Sequence, residues 1–388
     1  MSVAIHNQVL FALVIVGGVA VVASGFVSLA PNRLMSGNAI PLWEAGGSSA
    51  SIAVAVLGAI LLAACFAVPS QAACYAALVS AGLLLMVVFA AAGQSSSSLM
   101  AGAKPAARVS LGPAFWILAA CAILAMTDAL QRLAAGIGAR VLVVISIASG
   151  IGLLAAGGAF DALSIVREYR THRQVFVNAL VRHMMLVGIS VAGAVAIGFP
   201  LGVAVVRRPR LQGPVFTILN ILQTIPSIAL FGLLIVPLSA LVAAVPWLAT
   251  LGIGGIGVTP AIIALVLYAL LPAVRNTSAG LAGVDRAAID AGRGMGLNRR
   301  QIFWQLELPL ALPVLLAGLR IVTVQAVGLA VVAALIGAGG LGTFVFDGLG
   351  QYAVDLVLLG ALPAILLALV ADFVIQIVSA LLRQRFAP

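Results

Sequence analysis

The stretch of sequence that decides the fold is residues 275–313, RNTSAGLAGVDRAAIDAGRGMGLNRRQIFWQLELPLALP. It is the longest polar interruption in the second half of the chain, and apolar runs lie on both sides of it. Its pattern predicts two short helices and a turn, because Asn298 is a favourable N-cap and Gln301 follows in the capping-box position. Pro309 is predicted to end the second helix or to begin the next one.

The first of these helices is predicted to open at Val284 or Asp285 and to run through Ala291. Three glycines follow, at positions 292, 294 and 296. They are predicted to break the helix, because glycine readily adopts the positive φ found at helix C-termini.

The rest of the chain has the composition of an integral membrane protein. Of the 388 residues, 63% are hydrophobic and 8% are charged, whereas soluble domains carry about 25% charged residues. A soluble domain of this composition would lack a polar surface. The 20 Lys and Arg residues outnumber the 10 Asp and Glu residues, and they fall between apolar runs. This placement favours membrane loops and lipid headgroups over nucleic acid as their partners.

About ten spanning helices are predicted, because each needs about 20 mostly apolar residues. The candidate runs are 9–29, 51–68, 72–92, 114–126 and 141–159 in the first part, and 184–206, 215–238, 259–274, 310–336 and 356–382 in the second. The serine-rich segment 93–112 is predicted to be a loop, and 241–258 a re-entrant or broken segment. The predicted fold class is therefore all-α, a polytopic transmembrane helical bundle.

Three regions are predicted along the chain: an accessory membrane region of about five spans at 1–160, an amphipathic connector at 161–183, and a five-span core at 184–383. Arginines cluster after residue 206, between 274 and 310, and at Arg383 and Arg385. These segments, and with them the C-terminus, are predicted to be cytoplasmic. Alternation then places 161–183 outside despite its arginines, so either this helix lies on the outer headgroups or the count of N-terminal spans is off by one.

Residues 285–309 resemble the "EAA" coupling loop of ABC importer permeases, whose pattern is E-A-A, three residues, G, nine residues, then I-x-L-P. The matching residues are Asp290, Ala291 and Gly292 in the first three places, Gly296 at the glycine, and Leu306, Leu308 and Pro309 at the close. Two positions depart from the pattern, with Asp in place of Glu at 290 and Gly in place of Ala at 292.

The surrounding sequence is similar to one branch of this family, the osmoprotectant permeases of the glycine betaine/choline type. The similar stretches are residues 198–202, 223–227, 271–277, 294–296, 307–311 and 335–342. They span about residues 180–382, half of the chain. The resemblance implies a type I permease core in 184–383, which would translocate a small osmolyte such as glycine betaine or choline by alternating access.

The resemblance also implies the partners. A second permease chain, identical or homologous, packs against the first, cytoplasmic ABC ATPase subunits dock on the EAA loop, and an extracytoplasmic binding protein delivers the solute. The chain would lie in the bacterial inner membrane among its lipids. It would bind no cofactor, since ATP and Mg are used by the ATPase, and it would be a transport subunit rather than an enzyme.

The residues themselves agree with this division of labour. The only lysine, Lys104, is followed by Pro105, so the chain has no P-loop of the Gly-Lys-Ser/Thr type. The Trp and Tyr residues are scattered, whereas quaternary ammonium ligands favour aromatic cages. Cys65, Cys74 and Cys121 have no metal-site spacing, and no catalytic or metal-binding residue is predicted.

Further candidate residues carry two interpretations each. Arg299 and Arg300 either contact the ATPase or follow the positive-inside rule, and Trp304 is a partner anchor or an interface residue. Gln223, Thr224, Pro226 and Ser227 line the translocation path or pack helices around a proline kink. Gly337, Gly339, Gly340 and Gly342 form a tight turn at the outer end of a span, or a gate.

Three other positions are predicted to be structural. Residues 275–277 are expected to cap a cytoplasmic helix end, and His183 to be interfacial. Asp372, an acid inside the last span, is expected either to pair with an arginine or to be interfacial.

Three alternatives to osmolyte import remain open. The same machinery could carry another small zwitterion or an amino-acid-like solute. An ion-coupled secondary transporter would need carboxylates within its spans, and only Asp372 and Asp128 are available. A membrane enzyme would need a nucleophile–base constellation, which the sequence does not offer.

Overall fold

The computed structural model describes residues 5–32 and 35–386, with side chains up to residue 382. The predicted cytoplasmic side chains of Arg383 and Arg385 lie outside this described part. The chain divides into two compact units, residues 1–171 and residues 172–388, called unit 1 and unit 2 below.

Unit 1 is a helical bundle that carries a small sheet. Its elements are α1 Gln8–Ala23, β1 Val27–Ala30, β2 Asn38–Ile40, α2 Leu42–Ala45, α3 Gly47–Phe66, α4 Gln71–Ala101, β3 Arg108–Leu111, α5 Pro113–Arg132, α6 Ile137–Ala156 and α7 Ser164–Thr171. The strands are antiparallel in the order β2-β1-β3, with Ser28 opposite both Ala39 and Ser110. Apolar side chains of α1, α3, α4 and α5 form its core, with Phe26 and Phe115 completely or almost completely buried.

The small sheet is an addition to the predicted all-α class, and it shortens the first predicted span, which ends at Ala23 instead of residue 29. Glycines permit the strands to meet: a Cβ on Gly25 would lie 2.8 Å from the Cβ of Ala39, and one on Gly112 only 2.2 Å from the Gly25 carbonyl oxygen. The pairing partners are up to 84 residues apart in the sequence, as between Val27 and Leu111. A local sequence pattern therefore does not predict the strand pairing.

The predicted serine-rich loop at 93–112 is wrong for its first half. Helix α4 continues to Ala101, and its serine hydroxyls donate hydrogen bonds to carbonyls of the preceding turn. The Ser95 hydroxyl bonds the Ala91 carbonyl at 2.6 Å, and the Ser96 hydroxyl bonds the Gly93 carbonyl at 2.8 Å. Both serines are therefore fully buried without leaving a polar group unsatisfied.

Unit 2 contains the two longest helices of the described part. Its elements are α8 Arg173–Arg207, a 3₁₀ turn Pro209–Leu211, α9 Gln212–Thr224, α10 Ser227–Ala244, α11 Trp247–Thr250, α12 Val258–Ala282, α13 Arg286–Gly294, α14 Arg299–Ile302, a π turn Phe303–Glu307, α15 Leu308–Val332, a 3₁₀ turn Ala333–Ile336, α16 Gly342–Gly350 and α17 Val354–Phe386. Helix α12 packs against both α8 and α15.

Small residues bring these three helices close together. A Cβ on Gly198 would lie 2.7 Å from the Cβ of Ala273, and one on Gly202 would lie 2.6 Å from the Cβ of Thr277. On the other side of α12, Gly318 faces Asn276 at a corresponding distance of 2.4 Å. Such close contacts provide the van der Waals packing that holds helices together in lipid.

Nine helices in the described part are long and apolar enough to cross a membrane, and α1 is a shorter apolar helix of 16 residues. The predicted polytopic helical bundle is confirmed, with a span count one below ten. The predicted span 215–238 is broken at Ile225 and Pro226, between α9 and α10.

The predicted single connector at 161–183 is instead parts of two helices, α7 and α8, with a break at His172. Its arginines are largely engaged within the protein. Arg167 donates to the carbonyls of Ala107 and Pro105 at 2.9 and 3.1 Å, and Arg170 pairs with Asp161 at 2.6 Å. These contacts give the arginines a structural role that does not depend on which side of the membrane they occupy.

Candidate functional site

Gly296 forms the turn between α13 and the helix that begins at Arg299. Its φ is 83°, a left-handed conformation that L side chains rarely adopt. The Gly296 N–H donates to the Arg293 carbonyl at 2.9 Å, and the Leu297 N–H donates to the Gly292 carbonyl at 3.1 Å. These two bonds form a Schellman motif, which satisfies carbonyls that the end of α13 would otherwise leave free.

Side chains cap both helices of the loop. The Asp285 carboxylate accepts a hydrogen bond from the Ala287 N–H at 3.0 Å, so Asp285 is the N-cap of α13. Asn298 and Gln301 form the reciprocal bonds of a capping box, at 2.8 and 2.9 Å. The predicted capping box is confirmed.

The prediction that the first helix ends at Ala291 is wrong, because α13 continues to Gly294. Gly292 stays helical and buried, and a Cβ there would lie 2.5 Å from the Leu306 Cδ1 atom. Gly292 therefore permits a close contact between the two loop helices, and only Gly296 forms the turn. This contact accounts for Gly where the EAA pattern has Ala.

The second helix does not stop at Pro309. Arg299 to Ile336 form one helical run, interrupted by the π turn from Phe303 to Glu307. The Leu308 N–H donates to the Phe303 carbonyl, five residues back. Because Pro309 lacks an N–H and its ring crowds the preceding turn, the wider turn lets the helix pass through the proline. The coupling loop and a spanning helix are thus one continuous element.

Glu307 links this element to the end of α8, which the sequence reasoning missed. Its carboxylate is buried and accepts hydrogen bonds from both terminal nitrogens of Arg207, Nη1 at 3.1 Å and also Nη2. The Arg207 guanidinium also lies 5.8 Å from the centre of the Phe303 ring. The available signal was an acidic residue directly before Leu308 and Pro309 in a segment otherwise rich in arginine.

The outer surface of the loop combines charge and exposed apolar groups. Asp290 pairs with Arg293 at 2.9 Å, and both side chains are about two-thirds exposed, at 68% and 67%. Met295 and Trp304 are also exposed. A cavity of about 600 Å³ is lined by Arg207, Arg293, Arg299, Arg300, Phe303 and Glu307, among others. The surface is therefore suited to a soluble partner that offers acidic groups and an apolar pocket.

Gln223 supports the break between α9 and α10. Its side-chain amide donates to the Tyr268 carbonyl, whose usual helical partner four residues on is Pro272, which has no N–H. The Tyr268 hydroxyl in turn donates to the Ile225 carbonyl. This contact supports the helix-packing interpretation of Gln223, and its place in the translocation path stays a prediction. Tyr268 was missed, although a tyrosine four residues before a proline marks a carbonyl in need of a donor.

The other predicted path residues lie beside this break. Thr224 and Pro226 are exposed, and the Thr224 hydroxyl donates to the Ile221 carbonyl at 2.7 Å. Ser227 is half-buried and begins α10. Their place in a translocation path stays a prediction.

The glycine-rich turn lies at the opposite end of α15 from the coupling loop. Gly337, Gly339 and Gly340 have φ values of 75°, 79° and 88°, and a Cβ on Gly342 would meet the Val331 carbonyl oxygen at 1.9 Å. A tight turn is therefore present, as predicted. His183 packs on Gly340 and is fully buried, so its side chain faces protein, and its interfacial position in the membrane stays a prediction.

Residues 275–277 do not cap a helix end, because α12 continues to Ala282. Asn276 instead donates to the Pro272 carbonyl at 2.8 Å, and Thr277 is buried against Gly202. Both side chains are used in packing α12, which explains why polar residues are tolerated there.

The two intramembrane acids are both paired. Asp372 bonds Arg320, which confirms the first of its two predicted roles. Asp128 in unit 1 accepts from the Asn7 amide at 2.7 Å and from Arg132 at 2.9 Å.

A spanning helical bundle with an exposed, rigidly capped loop at the start of a span defines a membrane transport subunit that takes a soluble partner. Residues 194–387 match the family described as "Binding-protein-dependent transport system inner membrane component", and the chain belongs to this family. Residues 6–166 match "ABC transporter permease YehY, N-terminal domain". The chain is thus a multi-pass permease subunit of an ABC importer, a transport component that works with an ATPase and a substrate-binding protein.

Several curated proteins resemble the second half of the chain. The osmoprotectant import permease protein OsmW of Salmonella typhimurium is 42% identical over 199 residues, which cover 50% of this chain and 86% of that one. The carnitine transport permease protein OpuCB of Listeria monocytogenes is 40% identical, covering 50% and 81%. The choline transport system permease protein OpuBB of Bacillus subtilis is 35% identical, covering 55% and 91%.

Among solved structures, the inward-facing MetNI methionine ABC transporter contains a chain with 24% identity and a TM-score of 0.48, covering 55% of this chain and 98% of that one.

Proposed function

We propose that this chain translocates a small zwitterionic or quaternary ammonium osmolyte, of the glycine betaine or choline kind. Relatives that share 35–42% of their residues with the core are named for osmoprotectant, carnitine and choline import. The observation that carries the mechanism is the continuous helix from Arg299 to Ile336, because it joins the exposed coupling loop to a membrane span.

In this proposal the ATPase binds the exposed face of the loop, which is formed by Asp290, Met295, Arg299, Arg300 and Trp304. Movement of that face is transmitted without a flexible joint, because the capping box and the Schellman turn hold the two loop helices. The Arg207–Glu307 pair carries the same movement to α8. Alternating access then follows from shifts of packed helices rather than from a local loop rearrangement.

Two copies of this chain, or this chain and a homologue, form the path in the inner membrane of a bacterium, with the coupling loop and the C-terminus in the cytoplasm. ATP and Mg are bound by the ATPase, an extracytoplasmic protein delivers the solute, and lipids rather than nucleic acid meet the basic loops. Residues 1–160 form an accessory membrane region and 184–383 the permease core.

The decisive experiment is uptake of labelled glycine betaine into vesicles that hold this chain, its ATPase and its binding protein. One arm receives ATP with ion gradients collapsed, and the other receives ion gradients without ATP. We expect uptake only with ATP. Uptake with gradients alone would refute the proposal in favour of an ion-coupled transporter, and ATP-dependent uptake of amino acids in preference to glycine betaine would refute the substrate.

Gly296→Pro in the same vesicles tests the coupling loop. Proline holds φ near −65°, so it cannot adopt the left-handed turn at this position. We expect ATP-dependent uptake to be lost. Gly294→Ala is the matched control, because a Cβ at this exposed helical glycine meets open space, and it should transport like the wild type. Equal activity of Gly296→Pro and the wild type would exclude this loop from coupling.

A further inference from the structure

A charged cluster lies midway along α15, on a face that the helices of unit 2 leave partly exposed. Arg320 is twelve residues from each end of α15, which runs from Leu308 to Val332. Its Nη2 atom donates to the Asp372 Oδ2 atom at 2.9 Å, and its Nε atom donates to Oδ1. The Gln376 amide donates to the same Oδ2 atom at 2.6 Å. The three side chains therefore join α15 to α17 at the middle of α15, which belongs to a helical run long enough to cross a membrane.

The core helices do not cover this cluster. The Arg320 side chain is 47% exposed and that of Asp372 is 20% exposed. Charged groups within a membrane span are costly against lipid, and they normally face a bundle interior or a water-filled path. A half-exposed guanidinium at the centre of a span therefore indicates a polar environment rather than lipid tails.

The geometry of the pair leaves hydrogen-bonding capacity for a ligand. Because Nε and Nη2 face Asp372, the two Nη1 hydrogens of Arg320 are turned away from that carboxylate. On α17, Asp372, Gln376 and Ser379 follow one another at helical spacings of four and three residues, so they form one polar stripe toward the C-terminal end of the helix.

We propose that Arg320, Asp372 and Gln376 form a polar binding station for a zwitterion inside the translocation path. Arg320 receives the solute carboxylate through its outward N–H groups, and Asp372 faces the cationic end. A zwitterion matches the station because it brings one charge of each sign to an existing pair of opposite charges. The inference rests on the proposed function and adds to it the place where the solute is held within this chain.

Two solutes distinguish this role from a purely structural ion pair. Glycine betaine has a carboxylate and a quaternary ammonium group, whereas choline has the ammonium group and a hydroxyl. In the vesicles described above, Arg320→Gln should lower glycine betaine uptake about tenfold more than choline uptake, since a charge-assisted hydrogen bond is lost only for the first solute. An equal fall for both solutes would overturn the station.

The double variant Arg320→Met, Asp372→Leu separates a loss of solute binding from a loss of helix packing. The double change removes both charges together, so that neither partner is left as an unpaired charge. We expect the variant to keep the thermal unfolding temperature of the wild type and yet to transport glycine betaine at least tenfold more slowly. Uptake at the wild-type rate would show that the pair only joins the two helices, and would overturn the station. Absence of ATP-dependent uptake of either solute by the wild type would instead overturn the proposed function, and the station with it.

Discussion

The helices of the two units differ in their internal prolines and in the residues that pack between them. In unit 2, each of the long helices α8, α10, α12, α15 and α17 contains an internal proline, at positions 200, 237, 272, 313 and 363. In the described part of unit 1, no helix has one, and Pro113 stands at the start of α5. A proline within a helix removes a backbone hydrogen bond and permits a bend.

Unit 1 has an aromatic core in place of these bends. Phe115 lies edge-on to Phe26, Phe89 and Trp116, with ring centroids 5.0 to 6.0 Å apart. A three-stranded sheet adds long-range backbone bonds to this core. We therefore expect the helices of unit 2 to change their curvature more readily than those of unit 1. Alternating access requires such a change.

The largest effect on stability is expected from Phe115→Ala in unit 1. Removing a fully packed phenylalanine should cost about 3–5 kcal/mol of unfolding free energy, and we expect a large fall in the unfolding midpoint in denaturant. Leu124→Ala on the same helix is the control, because Leu124 is exposed and should change the midpoint little. Similar effects of the two variants would show that the aromatic cluster does not dominate the stability of unit 1.

Arg207→Ala tests the link between α8 and the coupling helix in unit 2. It leaves the buried Glu307 carboxylate without its partner, which should cost about 1.5–3 kcal/mol. We expect uptake to fall more than ATP hydrolysis, because the ATPase still docks but its movement no longer reaches α8. The neighbouring exposed Arg208→Ala carries the same change of charge and should keep the wild-type ratio. An unchanged ratio in Arg207→Ala would limit the pair to a structural role.

A double-mutant cycle on Gln223 and Pro272 tests whether the Gln223 side chain replaces the backbone hydrogen bond that Pro272 cannot make. Gln223→Leu removes the donor to the Tyr268 carbonyl and should cost about 1 kcal/mol. Pro272→Ala restores a backbone N–H to that carbonyl, so Gln223→Leu should cost less in this background, with a coupling energy of about 0.5–1 kcal/mol. Additive effects in thermal unfolding would show that the side chain does not replace the missing backbone bond.

Much of the candidate site could be predicted because its features are local. The capping residues Asn298 and Gln301 are three positions apart, and the turn glycine Gly296 follows the helix that it ends. The ends of α13 and α14 were harder. Gly292 remains helical and packs against Leu306, 14 residues away, and the helix passes through Pro309 because a π turn accommodates it.

The amino-acid sequence alone was sufficient for the membrane class, the approximate number of spans and the position of the two capped helices and the glycine turn at residues 285–309. Composition and hydrophobic runs depend on single residues, and caps and turns depend on residues within one helical turn. Tertiary structure decided which distant groups meet: Arg207 with Glu307, 100 positions away, Arg320 with Asp372, 52 positions away, and Gln223 with the carbonyl of Tyr268, 45 positions away. A buried polar group in a membrane must find a partner, but only the packing of whole helices determines which partner lies within reach.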